Sequence, residues 1–192
     1  MNQNLKRYIV AITGASGAIL GHRLMEELLN RKYIVDLIIT RAGNRVLKDE
    51  LGITEIKSRE GLNIYDIDNI GASIASGSVK THGMIIVPCS MGTLGSIANG
   101  ISSNLLHRAA DVIIKEKRKL ILVPREAPLS TIHLKNMLHV AQTGAVIIPP
   151  VPAFYTNPST IMDVVDFVIG KVLDQLDIEH DLYTPYYEKM QH

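Results

Sequence analysis

Two charged side chains, Arg125 and Glu126, stand together between prolines in VPREAP (Val123–Pro128), directly after the apolar run KLILV. Four other apolar runs end in comparable segments: TGASG (Thr13–Gly17), TRAG (Thr40–Gly43), PCSMGT (Pro88–Thr93) and PPVPAFY (Pro149–Tyr155). Four of the five segments are rich in Gly, Ser, Thr or Arg. Small residues let backbone N–H groups approach an anion, and hydroxyls and a guanidinium complete its shell. That chemistry implies a phosphate-bearing ligand.

The residues leave the ligand's identity open. GASGAILG (Gly14–Gly21) resembles a dinucleotide fingerprint, but Ser16 stands where the second glycine of G-x-G-x-x-G belongs. Asp36 has the spacing of a ribose-binding carboxylate, yet the apolar residues after it place it mid-strand rather than at a strand end. A mononucleotide such as FMN needs one phosphate site and a slot for its ring, which Ser16, Thr40, Ser90 and Thr93 can furnish. The competing reading of each hydroxyl is a helix cap. The seven histidines show no metal-ligand spacing, and Ser16 is not in G-x-S-x-G. Cys89 reads as a small buried filler more readily than as a thiolate.

These segments need a scaffold that brings strand ends together. Strands are expected at Arg7–Thr13, Tyr33–Thr40, Gly83–Pro88, Lys119–Pro124 and Gly144–Pro150, where short β-branched runs end at Gly or Pro. Helices are expected at Ala18–Asn30, Ala42–Leu51, Leu94–Asn99, Leu105–Arg118 and Ser130–Thr143. A last helix follows from Ile161, Val164, Val165, Val168, Ile169 and Val172, which share one face. Gly52–Thr81 has weak periodicity and reads as a functional loop region. Strand alternating with helix implies an α/β fold: a Rossmann-like, flavodoxin-like doubly wound parallel sheet in three layers, with ligand at the carboxyl ends of the strands.

At 192 residues with 46% hydrophobic and 20% charged side chains, the chain suits one flavoprotein-sized domain, 1–192, with a tail from about 177. Twenty basic against nineteen acidic residues leave no charge excess for nucleic acid, and KEKRK (Lys115–Lys119) reads as the solvated end of a helix. No run approaches about 18 uninterrupted apolar residues, so no membrane partner is expected. A single cysteine suits a reducing, cytoplasmic setting.

TGASGA, PCSMGTL, LLHRAADVIIKE, LVPREAPLSTIHLKNM, GAVIIPPVPAFY and VDFVIGKVLD together resemble the flavin prenyltransferases, the UbiX-type family once described as aromatic acid decarboxylases. The resemblance runs from about Tyr8 to Leu176. It implies a metal-independent enzyme that joins a dimethylallyl group from dimethylallyl phosphate to N5 and C6 of reduced FMN. The prenylated cofactor then serves a UbiD-type decarboxylase. A homo-oligomer, a dodecamer, is implied as well. By the same resemblance Gly14, Ala15, Ser16, Thr40, Ser90, Met91, Gly92, Thr93 and Arg125 contact FMN. Ser16, Glu50 and Glu126 are the catalytic candidates, Glu126 as proton donor to the leaving phosphate. Arg108, Lys115, Tyr155 and Lys171 hold the prenyl phosphate. Lys171 replaces an Arg of many relatives and loses its bidentate fork. The chain has no Trp, and Tyr186 or Tyr187 is the aromatic available where some relatives place one over the site. The alternative is an FMN-binding accessory subunit without turnover, which has no use for a phosphate cluster.

Overall fold

The computed structural model describes residues 5–186. Six parallel strands, β1 (Arg7–Ile12), β2 (Ile34–Ile39), β3 (Leu62–Tyr65), β4 (Gly83–Cys89), β5 (Leu120–Pro124) and β6 (Val146–Ile147), lie in the order β3-β2-β1-β4-β5-β6. The order reverses between β1 and β4, the place where an open α/β sheet forms a ligand crevice. The central strands are buried on both faces, which is why they read as continuous apolar runs rather than alternating ones.

Side-chain alternation sends Tyr8, Val10, Ile12, Ile85, Val87, Ile121 and Val123 to one core, where they meet α1 (Ala18–Asn30) and α6 (Ile161–Gln175). Ile9, Ala11, Met84, Ile86 and Leu122 go to the other, against α3 (Met91–Ala98), α4 (Leu105–Lys115) and α5 (Thr131–Gln142). Helix α2 (Arg41–Leu51) differs: its first turn lies against the β1–α1 turn, and its last turn reaches the start of α1. It therefore lies along the carboxyl edge of the sheet.

The α/β sandwich follows the expectation, with four differences, the first being that the strand expected at Gly144–Pro150 pairs only over Val146–Ile147. Part of the segment expected to be loop forms β3, an edge strand of only four residues whose LNIY carries too little pattern to read. Helix α3 starts at Met91, three residues before the expected Leu94, because Ser90 caps it. Helix α4 stops at Lys115 rather than Arg118, since Lys117 adopts a positive φ of 56°.

Candidate active site

The carboxyl edge is tied together at the switch point by one buried hydroxyl. Thr13 Oγ1 donates to the Pro88 carbonyl at 2.7 Å and accepts the Ser90 N–H at 2.8 Å, locking the end of β1 to the end of β4. Backbone contacts extend the edge on both sides: the Thr40 N–H donates to Ile12 at 3.0 Å and the Arg125 N–H to Cys89 at 3.2 Å. Four strand ends are thus tied together, and the Ile148 N–H, donating to Leu122 at 2.8 Å, sets the segment after β6 beside β5. Thr40 and Ser90 do act as caps, accepting the N–H of Gly43 at 3.0 Å and of Thr93 at 3.3 Å. Ser90 Oγ also donates to Thr93 Oγ1 at 3.0 Å. Gly14 is required here, because a Cβ would stand 2.4 Å from that of Ala42. A Cβ on Gly92 would meet nothing within 4 Å, so the first turn of α3 faces open space.

Glu50, from the last turn of α2, is the centre of the edge's electrostatics. Its carboxylate accepts the N–H of Gly17 at 3.0 and 3.1 Å and of Ala18 at 2.9 Å. The start of α1, where a dinucleotide fingerprint would seat a phosphate, is therefore capped by the protein's own anion. Partial burial pushes the Glu50 carboxyl up, but the Ser16 hydroxyl, the two N–H groups and the Arg125 charge outweigh it and hold it below the ordinary value. Ser16, Glu50 and Arg125 thus form one interacting set. Glu126 is exposed beside them, with Oε1 accepting the Ala127 N–H at 3.0 Å.

The candidates for the phosphate ester are distributed differently. Tyr155 and Lys171 line a groove of about 530 Å³ with Ile148, Pro149, Val151 and Phe167, past the end of β6. Lys171 Nζ donates to Tyr183 Oη at 2.6 Å and to Asp174 Oδ2 at 3.1 Å. The Tyr183 bond above all, and the Asp174 charge with it, raise its pKa against the opposing effect of burial. Tyr186 packs edge-on against Tyr155 at 5.2 Å, whereas Tyr187 lies outside the described residues. Arg108, in the second turn of α4, pairs with Asp111 at 2.7 Å. The structure does not bring Lys115 to this edge. Helix α4 runs back across the sheet, so its last residue lies at the amino edge, paired with Glu116 at 2.5 Å and close to Gly77.

A family model, Flavoprotein, matches residues 1–173. The flavin prenyltransferase UbiX of Halalkalibacterium halodurans is 49% identical over 193 residues, covering 95% of this chain and 94% of that protein. The chain belongs to the UbiX flavin prenyltransferase family. A crystal structure of AnUbiX (PadA1) in complex with FMN and dimethylallyl pyrophosphate superposes with a TM-score of 0.92 at 40% identity, covering 95% of this chain and 98% of that one. A dodecameric FMN-dependent UbiX-like decarboxylase from Escherichia coli O157:H7 gives a TM-score of 0.87 at 41% identity, covering 94% and 98%.

Within this UbiX-type fold, two residues that discarded chemistries would need are structural. Asp36 is buried mid-strand rather than at a strand end, bonded by Asn63 at 2.9 Å and ion-paired with Arg7 at 3.3 Å. Burial pushes the Cys89 thiol up to about 12, leaving it a packed neutral filler. Thr13 belongs to the rim segment named from sequence, but its bridge to Pro88 and Ser90 has no local signal. Two further residues that shape the site were not named from sequence. Asp174 could be suspected as an i,i+3 partner of Lys171, but Tyr183 has no local signal at all.

Proposed function

We propose that this flavin prenyltransferase transfers the dimethylallyl group of dimethylallyl phosphate to N5 and C6 of FMN, through residues of the carboxyl edge and the Tyr155–Lys171 groove. The observation that carries the reading is the Ser16–Glu50–Arg125 set at the switch point, an anion-capped turn beside an open helix start. The donor set fits a flavin mononucleotide: hydroxyls at Ser90 and Thr93, the first-turn N–H groups of α3 and the Arg125 guanidinium suit a phosphate and polar ring edges. Gly14, Ala15, Ser16, Thr40, Ser90, Met91, Gly92, Thr93 and Arg125 would hold it, and reduced FMN supplies the nucleophilic positions. The chain is taken as one flavoprotein domain.

Breaking an allylic C–O bond builds negative charge on the departing phosphate, so cations and an acid must surround it. Lys171, Arg108 and Lys115 offset that charge, Tyr155 donates to a phosphate oxygen, and Glu126 supplies a proton to the leaving group. Ser16 Oγ would take the proton that N5 loses as it is alkylated and pass its own to Glu50, whose ionised carboxylate the Ser16 hydroxyl helps to stabilise. Lys115 stands across the sheet from Glu126, so it serves the ester bound to an adjacent copy of the chain. Exposed Leu129, Ile132, Leu138, Val151, Phe154 and Ile161 supply apolar surface for such an assembly, a dodecamer like that of the E. coli relative. The product's recipient is a UbiD-type decarboxylase. Work in the cytoplasm accords with the single cysteine and with a described chain that has no helix long and apolar enough to cross a membrane.

Anaerobic incubation with reduced FMN and dimethylallyl phosphate tests the reading directly. Mass spectrometry should find a flavin heavier by one prenyl unit. Folded, FMN-bound protein that yields none is a carrier rather than a transferase.

A further inference from the structure

We propose that the C-terminal tail, through Tyr183 and Asp174 at the end of α6, is the positioning device for Lys171 and holds its ammonium ready for the phosphate ester. The inference rests on the reading that Lys171 faces that ester.

An Arg at this position would carry a planar fork with its donors already arranged. An ammonium on a four-carbon stem has no such order of its own. Here the order comes from outside the side chain. Tyr183 Oη accepts one Lys171 N–H at 2.6 Å and donates its own proton to Asp174 Oδ2 at 2.6 Å, while Asp174 Oδ2 accepts a second Lys171 N–H at 3.1 Å. The three groups close a ring of hydrogen bonds, which leaves the ammonium one donor in a defined direction. His180 secures the other side of the carboxylate, its ring nitrogen 3.0 Å from Asp174 Oδ1. Partial burial pushes the Asp174 carboxyl up, but the bonds from Tyr183, Lys171 and His180 overcome it and keep it ionised.

The tail is seated for this task. Gly170 lies beneath it, and a Cβ there would fall 2.6 Å from the Tyr183 ring and 2.8 Å from that of His180. The Tyr183 ring packs edge-on against Phe167 at 5.0 Å, and its face lies 4.8 Å from Lys171 Nζ. Three residues on, Tyr186 packs against Tyr155, the groove's other ester ligand. One short segment thus grips both.

The test is titration of dimethylallyl phosphate into FMN-loaded, full-length protein, together with its KM and kcat. Tyr183→Phe keeps the ring and removes the hydroxyl, and should weaken ester binding and raise KM roughly five- to tenfold, the size of one bond to a charged group. FMN affinity should stay within about twofold, while kcat falls together with ester affinity, because Lys171 also offsets the charge that builds on the departing phosphate. Gly170→Ala should act in the same direction by displacing the tail. Lys171→Arg in the Tyr183→Phe background should restore ester affinity, because a fork needs no clamp. Unchanged ester affinity in Tyr183→Phe overturns the proposal, as does a parallel loss of FMN affinity. If Tyr183→Phe does not fold, Asp174→Asn decides by the same criteria. Wild-type protein that binds the ester without turnover sinks the transferase reading but leaves the affinity comparison decisive. Wild-type protein that binds no ester overturns both.

Discussion

Glu50 and Glu126 are two carboxylates whose surroundings separate their roles. Glu50 is held ionised by the Ser16 hydroxyl, two N–H groups and Arg125, which keep it a proton acceptor and at the same time lower its basicity. Glu50→Gln loses the charge opposite the α1 dipole, and single-turnover prenyl transfer should fall about tenfold or more. Because its folded pKa is depressed, the stability that Glu50 contributes is present above its unfolded value and lost as pH falls through the folded one. A urea titration across the acid range should show a larger loss in the wild type than in Glu50→Gln, in which Asp163 still titrates. Glu126→Gln, in contrast, should bind FMN normally, read by flavin fluorescence, while prenyl transfer slows. Unchanged rates would remove Glu126 from the chemistry.

At the level of elements, the caps set the rim. Thr40, Ser90, Ser130 and Thr160 each accept an N–H from the first turn of the helix they precede. Thr160 is the most cleanly testable, because it is not among the proposed flavin or ester contacts and shares a capping box with Asp163. Thr160→Ala should cost about 1 kcal/mol in denaturant unfolding with prenyl transfer retained. Asp163 accepts the N–H groups of Ser159 and Thr160, which lower its pKa to about 2. Its folded value lies below the unfolded one, so its contribution holds above about pH 4 and disappears as pH falls toward 2. Packing between elements is as exacting. A Cβ on Gly21 would stand 2.4 Å from the Val87 carbonyl oxygen and 2.7 Å from Ile12, so Gly21→Ala should destabilise by about 1–3 kcal/mol in the same assay.

For the whole molecule, a chain with Lys115 on one edge of its sheet and Glu126 on the other needs copies of itself to complete the proposed site. Light scattering should give a large homo-oligomer. Phe154→Asp, placing a charge at a residue 77% exposed in the isolated chain, should reduce its mass and lower prenyl transfer with it. Full activity in a dissociated form would place the ester site within one chain and leave Lys115 outside it.

The strand ends, the order of helices and strands and the segments Gly14–Ser16, Ser90–Thr93 and Arg125–Glu126 were legible because each rests on neighbours in sequence. Apolar runs, prolines that stop ladders and hydroxyls before helices are local chemistry, and local chemistry survives in a string of letters. The family resemblance added Glu50 and Lys171, whose side chains would otherwise pass as ordinary surface. The tertiary structure alone decided that β3 pairs with β2, that Glu50 caps α1 from 33 residues away, and that Tyr183 and Asp174 share the Lys171 ammonium. It also decided that α4 carries Lys115 away from the rim. Each of these depends on which distant atoms come within about 3 Å, and that is set by how whole elements pack, which no local pattern encodes.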